Sequence, residues 1–494
     1  MADTVVDAVI ANVKEVAKER AISITAETNV LELGLDSVER MDIISQLEQS
    51  FSIRVPDSLL PEIETCQEIA DAIEEVLEQQ GNATDTPLEY YDLEHLPEWK
   101  QLQQMINTVE ATGESNPFFA VHESASTNKT TVAGKELINF SGFNYLGMSG
   151  NPEVTAAAKS ALDAYGTSAS ASRLVAGTRP VHVELENILA DFTRNEAAAT
   201  FVSGYMTNNI VIGHLMGPGD LIVHDELAHN SIVMGSILSG AERRAFPHNN
   251  IDALNDILSN LRGQYRKVLI VVEGVYSMDG DFSDVPALIE IKHRHQTLLM
   301  VDEAHSIGTM GVNGRGMAEH YGIDTVDVDI WMGTLGKALG AGGGYIAGRS
   351  HFIQYMKHTC PGMIFSIGLS PCSAEAALKS VQLLLEQPDR VATLQSRAAF
   401  FLTLLKQRGV NTGDSNGTPI VPVILGNSLH AIQSSRMMHE RGVSVQPILY
   451  PAVAEESARL RFFLNALHTN EELSVAAKEL VAVLKELDPA YLQP

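Results

Sequence analysis

Apolar residues near the start of the chain recur at helical spacing. Val5, Val6, Val9, Ile10, Val13 and Val16 form one stripe and predict a helix over 4–20. A second helix is predicted from Ser37, where Val38, Met41, Ile44, Leu47 and Phe51 follow at spacings of 3, 3, 3 and 4. A third, over 67–79, carries Ile69, Ile73 and Val76. From residue 89 the pattern changes: helical periodicities alternate with short apolar runs, VLIVVEG (268–274), TLLMVDEA (297–304) and DVDIWMG (327–333). Near-continuous apolar strands of this kind are those of a parallel sheet covered on both faces. The expected fold is therefore α/β, a small three- or four-helix domain followed by a mostly parallel central sheet.

Charge sharpens the division. The 494 residues hold 34 Lys/Arg against 62 Asp/Glu, a net charge of −28. Residues 1–80 alone carry 18 acidic and 5 basic side chains. Such a break suggests an acidic domain over 1–80, a short polar linker over 81–88 (GNATDTPL) and a large domain over 89–494. The acidic balance argues against nucleic acid and anionic membranes as partners. No apolar run approaches the ~20 residues of a membrane span, so no integral membrane segment is expected. The first twenty residues have scattered charges and no signal-peptide core. Three cysteines in so long a chain make neither a disulfide framework nor a metal cluster, and a cytoplasmic setting is expected.

Ligand chemistry in open parallel sheets sits at the carboxyl ends of the strands. Glu273 and Ser277, Asp302 and His305, and Thr334 and Lys337 all fall there. Each has a plain reading: Asp302 as a helix cap, His305 as a core histidine, Lys337 as one surface lysine among many. Together they are harder to set aside, because three successive strands deliver polar groups to one edge. Lys337 moreover stands inside a glycine-rich stretch, Gly333 to Gly340. A desolvated lysine of lowered pKa is what Schiff-base chemistry requires, and a carboxylate on a pyridine nitrogen keeps pyridoxal phosphate an electron sink. In the acidic domain Asp36 or Ser37 can simply cap a helix.

The segment LELGLDSVERMDIISQLE resembles the phosphopantetheine attachment motif of acyl carrier proteins. The resemblance implies that Ser37 carries 4′-phosphopantetheine, and a helix N-terminus favours the phosphodiester formed there. Residues 89–490 resemble the α-oxoamine synthases, fold-type I pyridoxal-phosphate enzymes that include serine palmitoyltransferase, 8-amino-7-oxononanoate synthase and 2-amino-3-ketobutyrate ligase. The two resemblances imply a four-helix carrier domain followed by a mostly parallel central sheet with a smaller C-terminal α/β domain. The stretches that carry it include NFSGFNYLGMSGNP (139–152), SGYMTNN (203–209), HDELAHNS (224–231), EGVYSMDGD (273–281), DEAHSIG (302–308), TLGKALG (334–340) and YPAVAEESARLRFFLNALHT (450–469).

Position by position, the resemblance makes Lys337 the Schiff-base lysine, Asp302 the partner of the pyridine nitrogen and His305 that of the phenolic oxygen. It sets His229 on the cofactor ring, near the substrate. Gly204 and Tyr205 would offer backbone N–H groups to the phosphate and Thr334 a hydroxyl, while Ser277 would line the cofactor. Arg459 would grip the substrate carboxylate, and Ser366 would reach the phosphate of a neighbour in a homodimer. The reaction implied is a decarboxylative Claisen condensation of glycine, alanine or serine with an acyl thioester. A phosphopantetheinyl transferase and an acyl-loading enzyme would be further partners. Ile367, Ala452 and the stretch Ser168–Arg173 depart from the family pattern. An aminotransferase with a fused carrier and a non-catalytic carrier scaffold are the rival readings.

Overall fold

The computed structural model describes residues 5–18, 23–30, 33, 35, 37–55, 64–81, 86–113, 116–450 and 452–492, with the side chains of 37, 38, 40, 41 and 78–81 outside that description. Asp36 and residues 82–85 of the expected linker also lie outside it. The chain divides into two compact units, Met1–Gly113 and Glu114–Pro494. The first contains more than the acidic domain. A helix Pro97–Ala111, with no buried residue among its members, belongs to it as well.

Three helices build the acidic part among the described residues: Val5–Ala17, Ser37–Phe51 and Cys66–Gly81. Their stripes converge on one core of Val9, Val13, Ile43, Leu47, Ile69 and Ile73, with Val30 and Leu35 from the intervening loop. Thr65 and Glu68 cap the third helix reciprocally: Glu68 N–H donates to Thr65 Oγ1 (3.2 Å) and Thr65 N–H to Glu68 Oε2 (2.8 Å). Ser37 opens the second helix, as its pattern predicts.

The second unit is organised around a seven-stranded sheet in the order Ala197–Phe201, Gly344–Gly348, Ile330–Thr334, Leu298–Asp302, Val268–Glu273, Leu221–Asp225 and Glu242–Phe246. Gly344–Gly348 runs antiparallel to both neighbours; the other pairs are parallel. The three apolar runs read from the sequence are the three central strands. Their side chains alternate between two cores: Val268, Ile270, Val272, Leu299 and Val301 join one, Leu269, Val271, Met300, Ile330 and Met332 the other. Both faces are thus covered, which is why these strands show no polar alternation.

Register then fixes chemistry. Glu273 pairs with Asp302 and Asp302 with Met332, so the two carboxylates stand side by side at the carboxyl edge. A smaller antiparallel sheet, Ile420–Ile424, Arg459–Phe463 and Gln446–Ile448, carries the arginines of the SARLR motif.

Candidate active site

A cavity of about 490 Å³ opens at the carboxyl edge, lined among others by Gly204, His229, Asp302, His305, Thr334 and Lys337. Its size lies within the range of small-molecule sites. The helix Gly204–Leu215 points its N-terminus here, and Ser203 before it makes no side-chain cap. The first-turn N–H groups therefore face the cavity without an intrahelical acceptor. A Cβ at Gly204 would lie 2.6 Å from Thr334 Oγ1, so only glycine lets the helix end sit against that hydroxyl. One helical turn on, Asn208 Nδ2 donates to Asp302 Oδ2 (2.7 Å) and to Ser231 Oγ (2.9 Å). The Ala304 N–H donates to Asp302 Oδ1 (2.9 Å). Among the described residues no cation forms an ion pair with Asp302.

Lys337 Nζ lies 2.8 Å from His305 Nε2. Burial, reinforced by the Arg461 charge, brings Lys337 down to about 8, although Asp302 and Glu273 pull the other way. His305 is held well below the usual histidine range by burial and then by Lys337. It is therefore neutral, and its Nδ1 lies 2.7 Å from the Tyr145 hydroxyl. With Lys337 donating to Nε2, the ring proton is on Nδ1. When Tyr145 donates to Nδ1 instead, Nε2 becomes a donor toward an oxygen in the cavity. Glu273, buried beside Asp302, is pushed well above the carboxylate range by burial and then by that charge. It accepts the His229 N–H (2.7 Å). His229 Nδ1 accepts from the Ser231 N–H (3.2 Å), which leaves its ring proton on Nε2.

The expected residues do not all converge. Gly204, Tyr205, His229, Asp302, His305, Thr334 and Lys337 do. Ser277 is not among the cavity's lining; its carbonyl accepts from Arg461 Nη1 (3.0 Å). Arg459, expected to meet a substrate carboxylate, is instead bound to Asp279 Oδ1 (2.5 Å), the Ser457 carbonyl (2.8 Å) and the Met278 carbonyl (3.1 Å). Two residues on, Arg461 lies 4.5 Å above the Phe463 ring, and Phe463 stacks parallel to His305 at 6.3 Å. Its Nε is buried without a hydrogen-bond partner, and among the described residues no carboxylate pairs with it. Burial lowers Arg461 to about 10. Ser366 follows the short helix Pro361–Ile364 and is not among the lining residues of this protomer's cavity; exposed Phe365 and Ile367 flank it. Asn208 lines the cavity, and Tyr145 and Arg461 bear on it through His305 and Phe463; the sequence reading singles out none of the three, although each stands inside one of its motifs. The i to i+4 spacing from Gly204 to Asn208 was the available signal for one of them.

Comparison with known proteins agrees with this geometry. Residues 135–480 match the family aminotransferase class I and II, and residues 7–73 match the phosphopantetheine attachment site. The chain belongs to the aminotransferase class I and II family, in its α-oxoamine synthase branch, with a carrier domain at the N-terminal side. It is 38% identical over 368 residues to the 8-amino-7-oxononanoate synthase of Thermoanaerobacter pseudethanolicus, covering 74% of this chain and 93% of that one. The enzyme of the same name from Symbiobacterium thermophilum is 39% identical over 365 residues, again 74% and 93% of the two chains. Among solved structures, the serine palmitoyltransferase of Sphingomonas wittichii superposes with a TM-score of 0.76 at 30% identity, covering 80% of this chain and 98% of that one. An SPT structure with PLP gives 0.76 at 29% identity, covering 81% and 99%.

An amine titrating near 8 is a nucleophile at pH values where ordinary lysines are protonated. Protein freed of bound ligand is expected to react with a small aldehyde in a phase whose rate rises through pH 8 and that Lys337→Arg removes. A midpoint above pH 10 would contradict the environment described.

Proposed function

We propose that the protein condenses a small amino acid with an acyl thioester carried on its own N-terminal domain, giving an α-amino ketone, CO2 and the free phosphopantetheine thiol. The observation that carries this reading is the buried Lys337 amine beside neutral His305, set opposite the Asp302 carboxylate under an uncapped helix end. These residues fit pyridoxal 5′-phosphate. Two features argue for it: a buried carboxylate with hydrogen-bond donors but no ion-pair partner among the described residues, and a glycine cradle that any Cβ would fill. The first-turn N–H groups at Gly204 and Tyr205, with Thr334 Oγ1, would hold the phosphate. Asp302 would hold the pyridine nitrogen protonated, and His305 Nε2 would donate to the phenolic oxygen. When bound, the cofactor supplies an electron sink for the carbanion at the substrate Cα.

The remaining work belongs to the chain. Lys337, neutral near pH 8, takes the Cα proton. His229 would cover the ring from the N-terminus of its helix, with Glu273 and Ser231 fixing the turn. Arg461 rather than Arg459 binds the substrate carboxylate, since its guanidinium is buried near Lys337 with no acid partner among the described residues. Holding the carboxylate there would orient the Cα–H bond toward Lys337 and favour proton loss before decarboxylation. Ser37 carries the acyl group on phosphopantetheine, so donor and acceptor share one chain. An effective concentration of order millimolar follows for a short tether. The amino acid is glycine, alanine or serine, the small substrates to which the family resemblance points.

The assay that tests the reading supplies each of the three amino acids to holo protein acylated on Ser37 and follows CO2 and product mass. One CO2 per product is expected from one of them, faster than from Ser37→Ala given the matching acyl-CoA. Transfer of the amino group without CO2 would make the chain an aminotransferase, and equal rates for the two proteins would remove the tether.

Loss of a charge-assisted carboxylate contact is worth about 3 kcal/mol, roughly 100-fold. Arg461→Ala should therefore raise the amino-acid KM about 100-fold with bound cofactor retained. An unchanged KM would return that role to Arg459.

Ser366, between exposed Phe365 and Ile367, is proposed to complete the site of a second copy. Light scattering of active protein should then give twice 53.5 kDa. An active monomer would exclude this arrangement.

A further inference from the structure

His248 lies beyond the cavity, just after the strand Glu242–Phe246, and has no part in the chemistry above. Its Nδ1 is 2.9 Å from Asp225 Oδ1 and its Nε2 is 2.7 Å from Asp281 Oδ2. Ionised carboxylates only accept, and a neutral imidazole has a single N–H. Satisfying both contacts requires the imidazolium. Burial opposes that charge, yet the two carboxylates outweigh it and raise His248 to about 10. Asn249, in the left-handed region at φ 52°, repeats the bridge: its N–H donates to Asp225 Oδ2 (2.9 Å) and its Nδ2 to Asp281 Oδ2 (2.8 Å). The Tyr276 ring meets the imidazole edge-on at 4.5 Å.

Asp225 heads the loop that carries His229, and Asp281 stands in the loop that touches Arg461. Asp225 ends its strand, accepts the Leu227 N–H (2.8 Å) and so shapes the turn that runs into His229. Asp281 closes the loop 276–281, where Tyr276 N–H donates to the Asp281 carbonyl (3.0 Å) and Gly280 N–H to the Tyr276 carbonyl (3.0 Å). The tip of that loop grips Arg461 through the Ser277 carbonyl and Met278 Sδ (3.1 Å). On its far side the loop is pinned to the smaller sheet. Thr418 Oγ1 donates to the Gly280 carbonyl (2.7 Å), and a Cβ at Gly280 (φ 70°) would stand 2.1 Å from the Ile420 carbonyl oxygen.

We propose that His248 is a positioning residue for amino-acid recognition: by bridging Asp225 and Asp281 it fixes the separation between His229, which covers the ring, and Arg461, which takes the carboxylate. The inference rests on the function proposed above. It predicts that charge at position 248 governs affinity for the amino acid without governing cofactor retention, because no atom of His248 or its two carboxylates lines the cavity.

The test titrates glycine, alanine and serine into the full-length protein loaded with pyridoxal phosphate, reading the change in cofactor absorbance. In His248→Gln one amide group replaces two charged donors. Its dissociation constant for the amino acid that binds is expected to rise at least ten-fold, with cofactor content unchanged. A constant within two-fold of the parent overturns the proposal, since a merely structural role would lower melting temperature and loaded fraction while leaving the affinity of loaded protein alone. Should His248→Gln fail to load cofactor, Asp281→Asn decides: it keeps the Asp225 contact and is expected to weaken binding several-fold, and parental affinity overturns the proposal there too. Parent protein giving no response to any of the three amino acids would remove the proposed function and this inference together, whereas a normal parent with an unaffected variant removes only the inference.

Discussion

The site depends on holding an amine and a carboxylate in one cavity without a direct ion pair between them. Taking an ammonium or a carboxylate out of water costs several kcal/mol, and the usual remedy is a direct ion pair. Here Lys337 meets the imidazole of His305, and Asp302 meets the amide of Asn208 and the N–H of Ala304. Hydrogen bonds to charged groups return about 1.5–3 kcal/mol each, which offsets part of the cost and leaves both groups available to a ligand. A planar ligand with an aldehyde at one end and a basic nitrogen at the other satisfies both. The uncapped helix at Gly204 sets where its anionic group can lie.

That arrangement was only partly legible in the sequence. The central strands and their terminal residues could be read because strands buried on both faces are continuous apolar runs, so a polar residue ending one stands out. Asp302, Thr334 and Lys337 were found in this way. Arg459, the residue expected to grip a carboxylate, and Arg461 share one face of the strand, because a period of two sets both opposite Leu460 and Phe462 of the core. Which of them meets the site depends on the loop 276–281, whose Asp279 pairs with the first arginine while Met278 and Ser277 offer only neutral acceptors to the second. Ser277 contributes a carbonyl, and main-chain roles leave no mark on residue type. Tyr145 comes from a segment more than 150 residues before His305, and only the tertiary fold brings the two within 2.7 Å.

The acidic domain poses the reverse case. Its three helices were readable from periodicity, though the second helix turns Ile43 with Leu47 into the core and leaves Ile44 and Phe51 of the expected stripe partly buried. Its chemistry was not. A serine at a helix N-terminus is by itself a cap, and only the surrounding motif marks it as an attachment point. The helix it opens has Glu39 in its first turn and no basic residue in its last, so the dipole is complemented at one end only.

The register of the central sheet carries the argument one step further. Pairing Glu273 with Asp302 forces two carboxyl groups together in a dry place, and like charges so close do not both ionise readily. Environment decides between them. Asp302 takes two N–H donors and lines the same cavity as the Lys337 amine. Glu273 takes one, from the His229 backbone, and burial together with the neighbouring charge pushes it well above the carboxylate range. One member of the pair is thus tied to the loop that positions His229, and the other is left facing the cavity. A glutamine at 273 would preserve the acceptor and the neutral state, whereas an aspartate would withdraw the acceptor by one methylene and loosen the turn into His229. The division of labour between two chemically similar side chains therefore follows from which backbone N–H groups the fold brings to each.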